Sequence, residues 1–286
     1  FNVQAVTPLR GVNLGGWFIP EYWMMPSFYA NSGLRFNASL CNFVHSHEAL
    51  AEERITHNIA NWITERDIED IAAIGLNSVR VPIGYWNVIN DPYKMFVPKD
   101  VSISLRALDW CFDACSRHNI SVLIDLHGAP GSQNGLDHSG CQMNSEWTSN
   151  YNVRLTLTAI EVIAKRYSAH KSFLGIEVLN EPSYVIEQLN RTVLVDFYNA
   201  AYRVIRRNSD TAVVVFNDIY SDFYDSWNQI LQEPAFYNVA LDLHLYDWQE
   251  PYTFETAEQH IADAVGWQST IERLSLTHPI IIGEWS

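Results

Sequence analysis

Seven short apolar runs alternate with amphipathic helical stretches, and no linker, repeat or low-complexity tract separates them. That alternation predicts an α/β fold built on parallel strands. The runs are continuous in Val, Ile and Leu rather than alternating, as strands covered on both faces should be. Seven such strands, of a possible eight, favour a (β/α)8 TIM barrel over a doubly wound sheet. The glycines of GVNLGGW at Gly11–Trp17 do not have the GxGxxG spacing that a dinucleotide-binding doubly wound sheet uses.

In order, the strands are expected at Arg10–Leu14, Ser78–Ile83, Val122–Leu126, Gly175–Leu179, Ala212–Phe216, Val239–Leu245 and Ile280–Gly283. Helical periodicity covers Thr64–Ile74, Leu105–His118, Val153–Ala169, Val193–Arg207 and Thr256–Leu276. Thr64 with Asp67 three residues on forms a capping arrangement at the start of the first of these. The segments 18–61 and 85–102 read as long excursions after strands one and two, on the face where barrel active sites form. The chain is expected to be a single catalytic barrel domain over residues 1–286. Strand eight and helix eight are expected to be absent from it, leaving strands one and seven as open edges.

The 286 residues are 48% hydrophobic and 13% aromatic, ample for one large core. Thirty-three acids against 18 bases give a formal net charge of −15. Such a surface repels phosphate backbones and anionic lipid, which excludes nucleic acid as an expected partner and leaves neutral substrates open. No run of about 18 apolar residues exists, so no membrane span is expected. The start, FNVQAVTPLRGVNLGG, has no basic region followed by an apolar one, so any signal peptide is expected to have been removed. Sequons occur at Asn37, Asn119 and Asn190. The four cysteines show no CxxC pair, which argues against zinc. Cys111 and Cys115, four apart on a helix, read as two buried thiols. Cys41 and Cys141 lie in loop-like segments compatible with a disulfide.

Polar residues gather where the strands end. Arg80 lies on strand two, Asp125, His127 and Asp137 on and after strand three, and Asn180 and Glu181 after strand four. His244 and Tyr246 belong to strand six, and Glu284 and Trp285 to strand seven. Each alone is commonplace: an arginine is more often a salt-bridge partner, and a strand histidine a satisfied core residue. Five strands doing so together point to one pocket at the carboxyl ends of a barrel. Two glutamates on different strands supply what glycoside hydrolysis needs, one protonated to give a proton and one ionised to attack. Strands four and seven stand nearly opposite. A gap of about 5 Å between their carboxylates would give retention, and one above about 6.5 Å inversion. Trp17, Trp23, Tyr85, Trp86, Trp147, Trp248 and Trp285 fall in or beside the expected loops, as stacking faces for sugar rings or as core.

RGVNLGGWFIPE, SVRVPIGYW, LIDLHGAPGSQNG, VLNEP, HLY and IIGEWS together resemble glycoside hydrolase family five, with the nearest likeness to secreted fungal exo-β-1,3-glucanases. The resemblance implies a barrel without metal or cofactor, a monomer, and a β-glucan polysaccharide or oligosaccharide as partner. It implies an extracellular or cell-wall setting. By the resemblance Glu181 is the acid/base and Glu284 the nucleophile. Asn180 would bond the sugar 2-hydroxyl, and Arg80 and Tyr246 would hold Glu284. His127 and His244 would line the sugar subsite, and Glu21 and Asp137 would bind hydroxyls of the terminal glucose. Gly135–Asp137 reads Gly-Leu-Asp where the family has Gly-Phe-Asp, which removes an aromatic at the entrance. An endo-acting β-glucanase, a transglycosylase on the same site, and a non-catalytic glucan-binding protein remain the alternatives.

Overall fold

The computed structural model describes residues 8–35, 38–182, 191–217, 229–246 and 256–285. The strands are β1 (Gly11–Asn13), β2 (Ser78–Gly84), β3 (Ser121–Gly128), β4 (Phe173–Glu177), β5 (Val213–Asn217), β6 (Val239–Leu245) and β7 (Ile280–Trp285). They form one parallel sheet in the order β1-β2-β3-β4-β5-β6-β7, the wall of a nearly closed barrel. Each expected strand is present, with ends moved by a few residues. β4 stops at Glu177, but the chain keeps its extended track, since Val178 N donates to Val215 O and Asn180 N to Leu126 O.

The helices are α1 (Leu40–Asn61), α2 (Glu65–Ala73), α3 (Val101–Arg117), α4 (Asn150–Tyr167), α5 (Arg191–Arg206) and α6 (Ala257–Leu274). Five match the expected periodic stretches. Thr64 and Asp67 do cap α2, with Thr64 N donating to Asp67 Oδ2 at 2.7 Å. α1 adds a helix that the periodicity did not predict: it makes up the second half of the long excursion at residues 18–61. His47, at φ −144° and ψ 50°, breaks α1 into two pieces, so no single periodic face runs its length. Cys41 consequently lies in the first turn of α1 rather than in a loop. It is bonded to Cys141, with the two Cα atoms 5.1 Å apart. Cys111 and Cys115 are buried free thiols.

Between strands and helices lies the main core, which includes Ile55, Phe112, Ile160, Phe197 and Leu241. A second, smaller cluster of Leu123, Val215 and Ala240, with Ile281 against it, fills the inside of the sheet. Side chains two apart on a strand share a face. Asp125 and His127 therefore follow Leu123, Asn217 follows Val215, and Asp242 and His244 follow Ala240 toward the carboxyl end. The apolar floor thus passes into a polar layer within one strand length.

β1 and β7 are the edges of the described sheet. Val12 is 41% exposed and Ile282 37% exposed, unlike the central strands. Across the seam the Asn13 side-chain amide donates to Gly283 O at 2.8 Å.

Candidate active site

Arg80 is the hub. The residue is 6% exposed, and the five donors of its guanidinium are spread over four strands. Nε donates to Glu177 Oε2 at 2.7 Å and Nη2 to Glu177 Oε1 at 3.2 Å. Nη2 also reaches Asn180 Oδ1 at 2.9 Å and Asp125 Oδ2 at 3.0 Å. Nη1 reaches Asn13 Oδ1 and Glu284 Oε1, both at 3.0 Å. Burial alone would weaken its charge. The carboxylates of Asp125, Glu177 and Glu284 outweigh that and hold it well above the ordinary arginine value.

Glu284 lies on β7, and a bulge aims it. Asp242 pairs with Ile281 and Leu243 with Ile282, but His244 pairs with Glu284, so Gly283 is the extra residue. Without that extra residue, the inward phase set by Ile281 would continue to Gly283 and then Trp285. With it, Glu284 faces His244. Gly283 N donates to Asp242 Oδ1 at 2.6 Å, and a Cβ at Gly283 would collide with the Asp242 carboxylate. Burial pushes the Glu284 carboxyl up, but His244, Arg80 and His127 together, with a 2.7 Å hydrogen bond from Tyr246 Oη, bring it well below the usual range.

Glu181 follows β4 and has φ +40°, a left-handed backbone costly for a residue with a Cβ. Its Oε1 meets His244 Nδ1 at 2.6 Å and its Oε2 meets His138 Nδ1 at 3.2 Å. Burial raises this carboxyl, and the His244 hydrogen bond with the charges of His138 and His244 lowers it further, for a net depression. His244 moves the opposite way. Burial disfavours its charge, but Asp242, Glu181 and Glu284 hold it well above the ordinary histidine value. One oxygen of Glu181, one of Glu284 and a ring nitrogen of His244 lie within 4.8 Å of one another.

The remaining expected residues border this network. His127 Nδ1 donates to Asp125 Oδ2 at 2.7 Å. Burial opposes its charge, but Asp125 and Glu284 push it up to about 9. Asn180 is fully buried, and among the described residues its Nδ2 has no hydrogen-bond partner, leaving a donor for a ligand. Glu21 accepts from Trp23 Nε1 at 2.7 Å. Burial raises it, His127 and His138 lower it, and Asp137 raises it, so Glu21 and Asp137 join the site through their charges.

The aromatic expectation is only partly met. Trp17, Tyr85, Trp86 and Trp147 are each at most 2% exposed and fill the core, whereas Trp23 and Trp285 are open to solvent. Trp248 lies outside the described residues, as do Asn37 and Asn190. Asn119 is exposed.

Several participants escaped the sequence reading. Glu177 and Asp242, with Asp125, form a fully buried acidic layer around Arg80. Burial first, then Asp125 and Asp242, push Glu177 up to about 8 against the pull of Arg80. Gln133 ties the loop to the site, donating to His127 O at 2.7 Å and Asn180 O at 2.9 Å. Their signal was position alone: Glu177 and Asp242 each stand in an apolar run where a lone acid is expensive. Glu177, Asp242 and His244, like the Glu181 trio, bring three ligand-type atoms within 4.8 Å. Arg80 already supplies the positive charge that a cation would bring to Glu177 and Glu284.

Residues 45–286 match the sequence profile described as Cellulase (glycosyl hydrolase family 5). Over all of its length the chain is 38% identical to a protein named glucan 1,3-beta-glucosidase from Blumeria graminis, covering 65% of that protein. It is 34% identical to glucan 1,3-beta-glucosidase 2 of Wickerhamomyces anomalus, over 97% of this chain and 65% of that one. The chain therefore spans just under two thirds of the length of these relatives. Among solved structures, a rutinosidase from Aspergillus niger superposes with a TM-score of 0.83 at 19% identity, covering 98% of this chain and 80% of that one. That likeness speaks to the fold. With the profile matched over residues 45–286, well over half of its length, the chain belongs to glycosyl hydrolase family 5.

Proposed function

We propose that this chain is a catalytic barrel that hydrolyses β-1,3-glucan with retention, releasing glucose from chain ends. Glu284 is the nucleophile and Glu181 the acid/base. One observation carries the reading: oxygens of Glu181 and Glu284, from β4 and β7, lie within 4.8 Å at the carboxyl end of the barrel. Retaining glycosidases keep their two carboxyl groups about 5 Å apart, too close for an intervening water. The names of the relatives, glucan 1,3-beta-glucosidases, support the substrate.

In the first step Glu284, ionised beside Arg80 and Tyr246, attacks the anomeric carbon as the glycosidic oxygen leaves. The leaving oxygen takes a proton from Glu181. His244 Nδ1 lies 2.6 Å from Glu181 Oε1, and the raised histidine beside the lowered carboxyl favours keeping that proton on His244 until it is needed. Forming the glycosyl ester cancels the negative charge of Glu284, which is one of the charges that holds the proton on His244. The imidazole thus loosens its hold as the acid is needed. In the second step water attacks the anomeric carbon, gives its proton to the Glu181–His244 pair, and the bond from that carbon to Glu284 breaks to free the carboxylate. Asn180 Nδ2 is the donor for the sugar 2-hydroxyl, a contact that strengthens in the transition state. His127, Glu21 and Asp137 bind the remaining hydroxyls. The chemistry needs neither a metal nor a cofactor.

Secretion and glycosylation belong to the same reading, supported by the Cys41–Cys141 disulfide, which persists in oxidising compartments, and by the exposed Asn119 sequon. The test is the product pattern from laminarin with reducing-end analysis. Glucose alone is expected. A ladder of oligosaccharides would make the action endo, and binding without turnover would make the protein a glucan-binding module.

A further inference from the structure

We infer that Gln133 and Asn134 are positioning residues for the acid/base: their side-chain amides hold the carbonyls of Asn180 and Glu181, and so fix the left-handed backbone from which the Glu181 carboxylate is aimed. The inference rests on the acid/base reading of Glu181. A φ of +40° is costly for a residue with a Cβ and persists only where the surroundings over-determine it. Pro182 follows directly, and a residue before proline is steered toward extended backbone, so the local sequence does not favour this conformation. The two peptide groups that flank the Glu181 Cα are held from outside. Gln133 Nε2 donates to Asn180 O at 2.9 Å, in the peptide before that Cα. Asn134 Nδ2 donates to Glu181 O at 3.1 Å, in the peptide after it. Pro182 has no N–H, so this carbonyl is the one hydrogen-bonding group by which the second peptide can be held.

Backbone partners settle which way each amide faces. Gln133 Oε1 accepts from Ala129 N at 3.0 Å, so its nitrogen faces the carbonyls of His127, at 2.7 Å, and Asn180. Asn134 Oδ1 accepts from Leu136 N at 3.0 Å, so its nitrogen faces Glu181 O. Both residues are buried, where a carbonyl that loses its donor is left unsatisfied. The loop that carries them is itself tied down: Gly135 N donates to Ser132 Oγ, and Ser145 Oγ to Ser132 O, each at 2.7 Å. β3 adds a third hold, since Asn180 N donates to Leu126 O at 3.1 Å. β3 and the loop after it therefore set the torsions of a residue that belongs to the end of β4. Relaxation to an ordinary negative φ would re-aim the Cα–Cβ bond, and the carboxylate would leave its 2.6 Å contact with His244 Nδ1.

Loss of this hold acts on proton delivery. A poor leaving group needs the proton in the first step, whereas a good one departs without it. A displacement of about 1 Å at a reacting group can cost on the order of 100-fold in rate. Without the amides, kcat/KM is therefore expected to fall by roughly 10- to 100-fold for a poor leaving group and far less for a good one.

Two variants of the full chain test this on phenyl and 2,4-dinitrophenyl β-glucosides, the first with a poor leaving group and the second with a good one. Gln133→Met keeps the shape of the side chain and removes its amide. Asn134→Ala leaves the Gln133 bonds in place, and it carries the test if Gln133→Met does not fold. Both variants are expected to lose kcat/KM selectively on the phenyl glucoside. Undiminished kcat/KM on the phenyl glucoside would overturn the inference. So would an equal loss on both substrates, which would assign the effect to a disturbed pocket rather than to the acid/base. Glu181→Ala with added azide separates the two levels. If it shows no selective loss and no glycosyl azide forms, the acid/base reading fails and this inference with it. If azide rescues its turnover while the Gln133 and Asn134 variants keep full kcat/KM on the phenyl glucoside, this inference alone fails.

Discussion

The carboxylates and histidines around Arg80 hold protons in opposite senses, and stability should record it. His127, raised to about 9, keeps its proton in the folded state where an ordinary histidine at 6.5 has lost it. Its stabilising contribution is complete below that ordinary value and is gone once the pH passes the folded one. Glu177, raised from 4.5 to about 8, acts in the same direction, because its ionised form is disfavoured in the barrel. Glu284, lowered from 4.5, contributes stability at higher pH that is lost as pH falls through the acid range. Thermal midpoints should therefore peak in mildly acidic buffer and decline toward pH 9. Glu177→Gln, which keeps the shape and removes the titration, should flatten part of that decline. A midpoint that rises steadily to pH 9 would contradict the assignment of protons to this layer.

At the scale of elements, the bulge at Gly283 and the Cys41–Cys141 bridge place the two ends of the site. Gly283→Ala sets a methyl against the Asp242 carboxylate, so β7 must shift or the bulge must straighten. A displacement of about 1 Å at Glu284 can cost on the order of 100-fold in rate. kcat should fall by that order with only a modest change in thermal midpoint; an unchanged kcat would show that the bulge does not aim the nucleophile. The disulfide closes a stretch with a separation of 100 residues and holds the turn that carries Asp137 and His138. Paired Cys41→Ser and Cys141→Ser should cost about 2–4 kcal/mol of stability in urea titration and raise KM. Equal urea midpoints for variant and parent would remove the bridge from the account. The strands were legible because buried parallel strands leave continuous apolar runs. α1 was not, because its kink at His47 interrupts the period. Nor could the tryptophans be sorted between core and pocket, since a Trp after a strand looks the same in either place until packing decides. The bulge is equally silent in IIIGEW, where a plain alternation would have turned Glu284 outward.

For the molecule as a whole, β1 and β7 are the edges of the sheet among the described residues, and apolar side chains of β7 and α6 are exposed. Trp285 is 75% exposed, and Ile261 and Val265 of α6, with Leu276 after it, are each more than 60% exposed. The residues at the strand ends were legible in the sequence because five coincidences at one face are improbable by chance. The acidic layer beneath them was not, because its meaning depends on Arg80 reaching across four strands. Retention requires that β4 and β7 bring Glu181 and Glu284 close enough for a covalent glycosyl intermediate. The most direct measurement is incubation with a 2-deoxy-2-fluoro-β-glucoside bearing a good leaving group, followed by mass analysis of the peptides. The fluorine slows both formation and hydrolysis of the ester, and the good leaving group restores only its formation, so the ester accumulates. A single sugar on the peptide containing Glu284, absent in Glu284→Gln, is the predicted result. Turnover of ordinary substrate with no adduct, and with the α-anomer as first product, would contradict it.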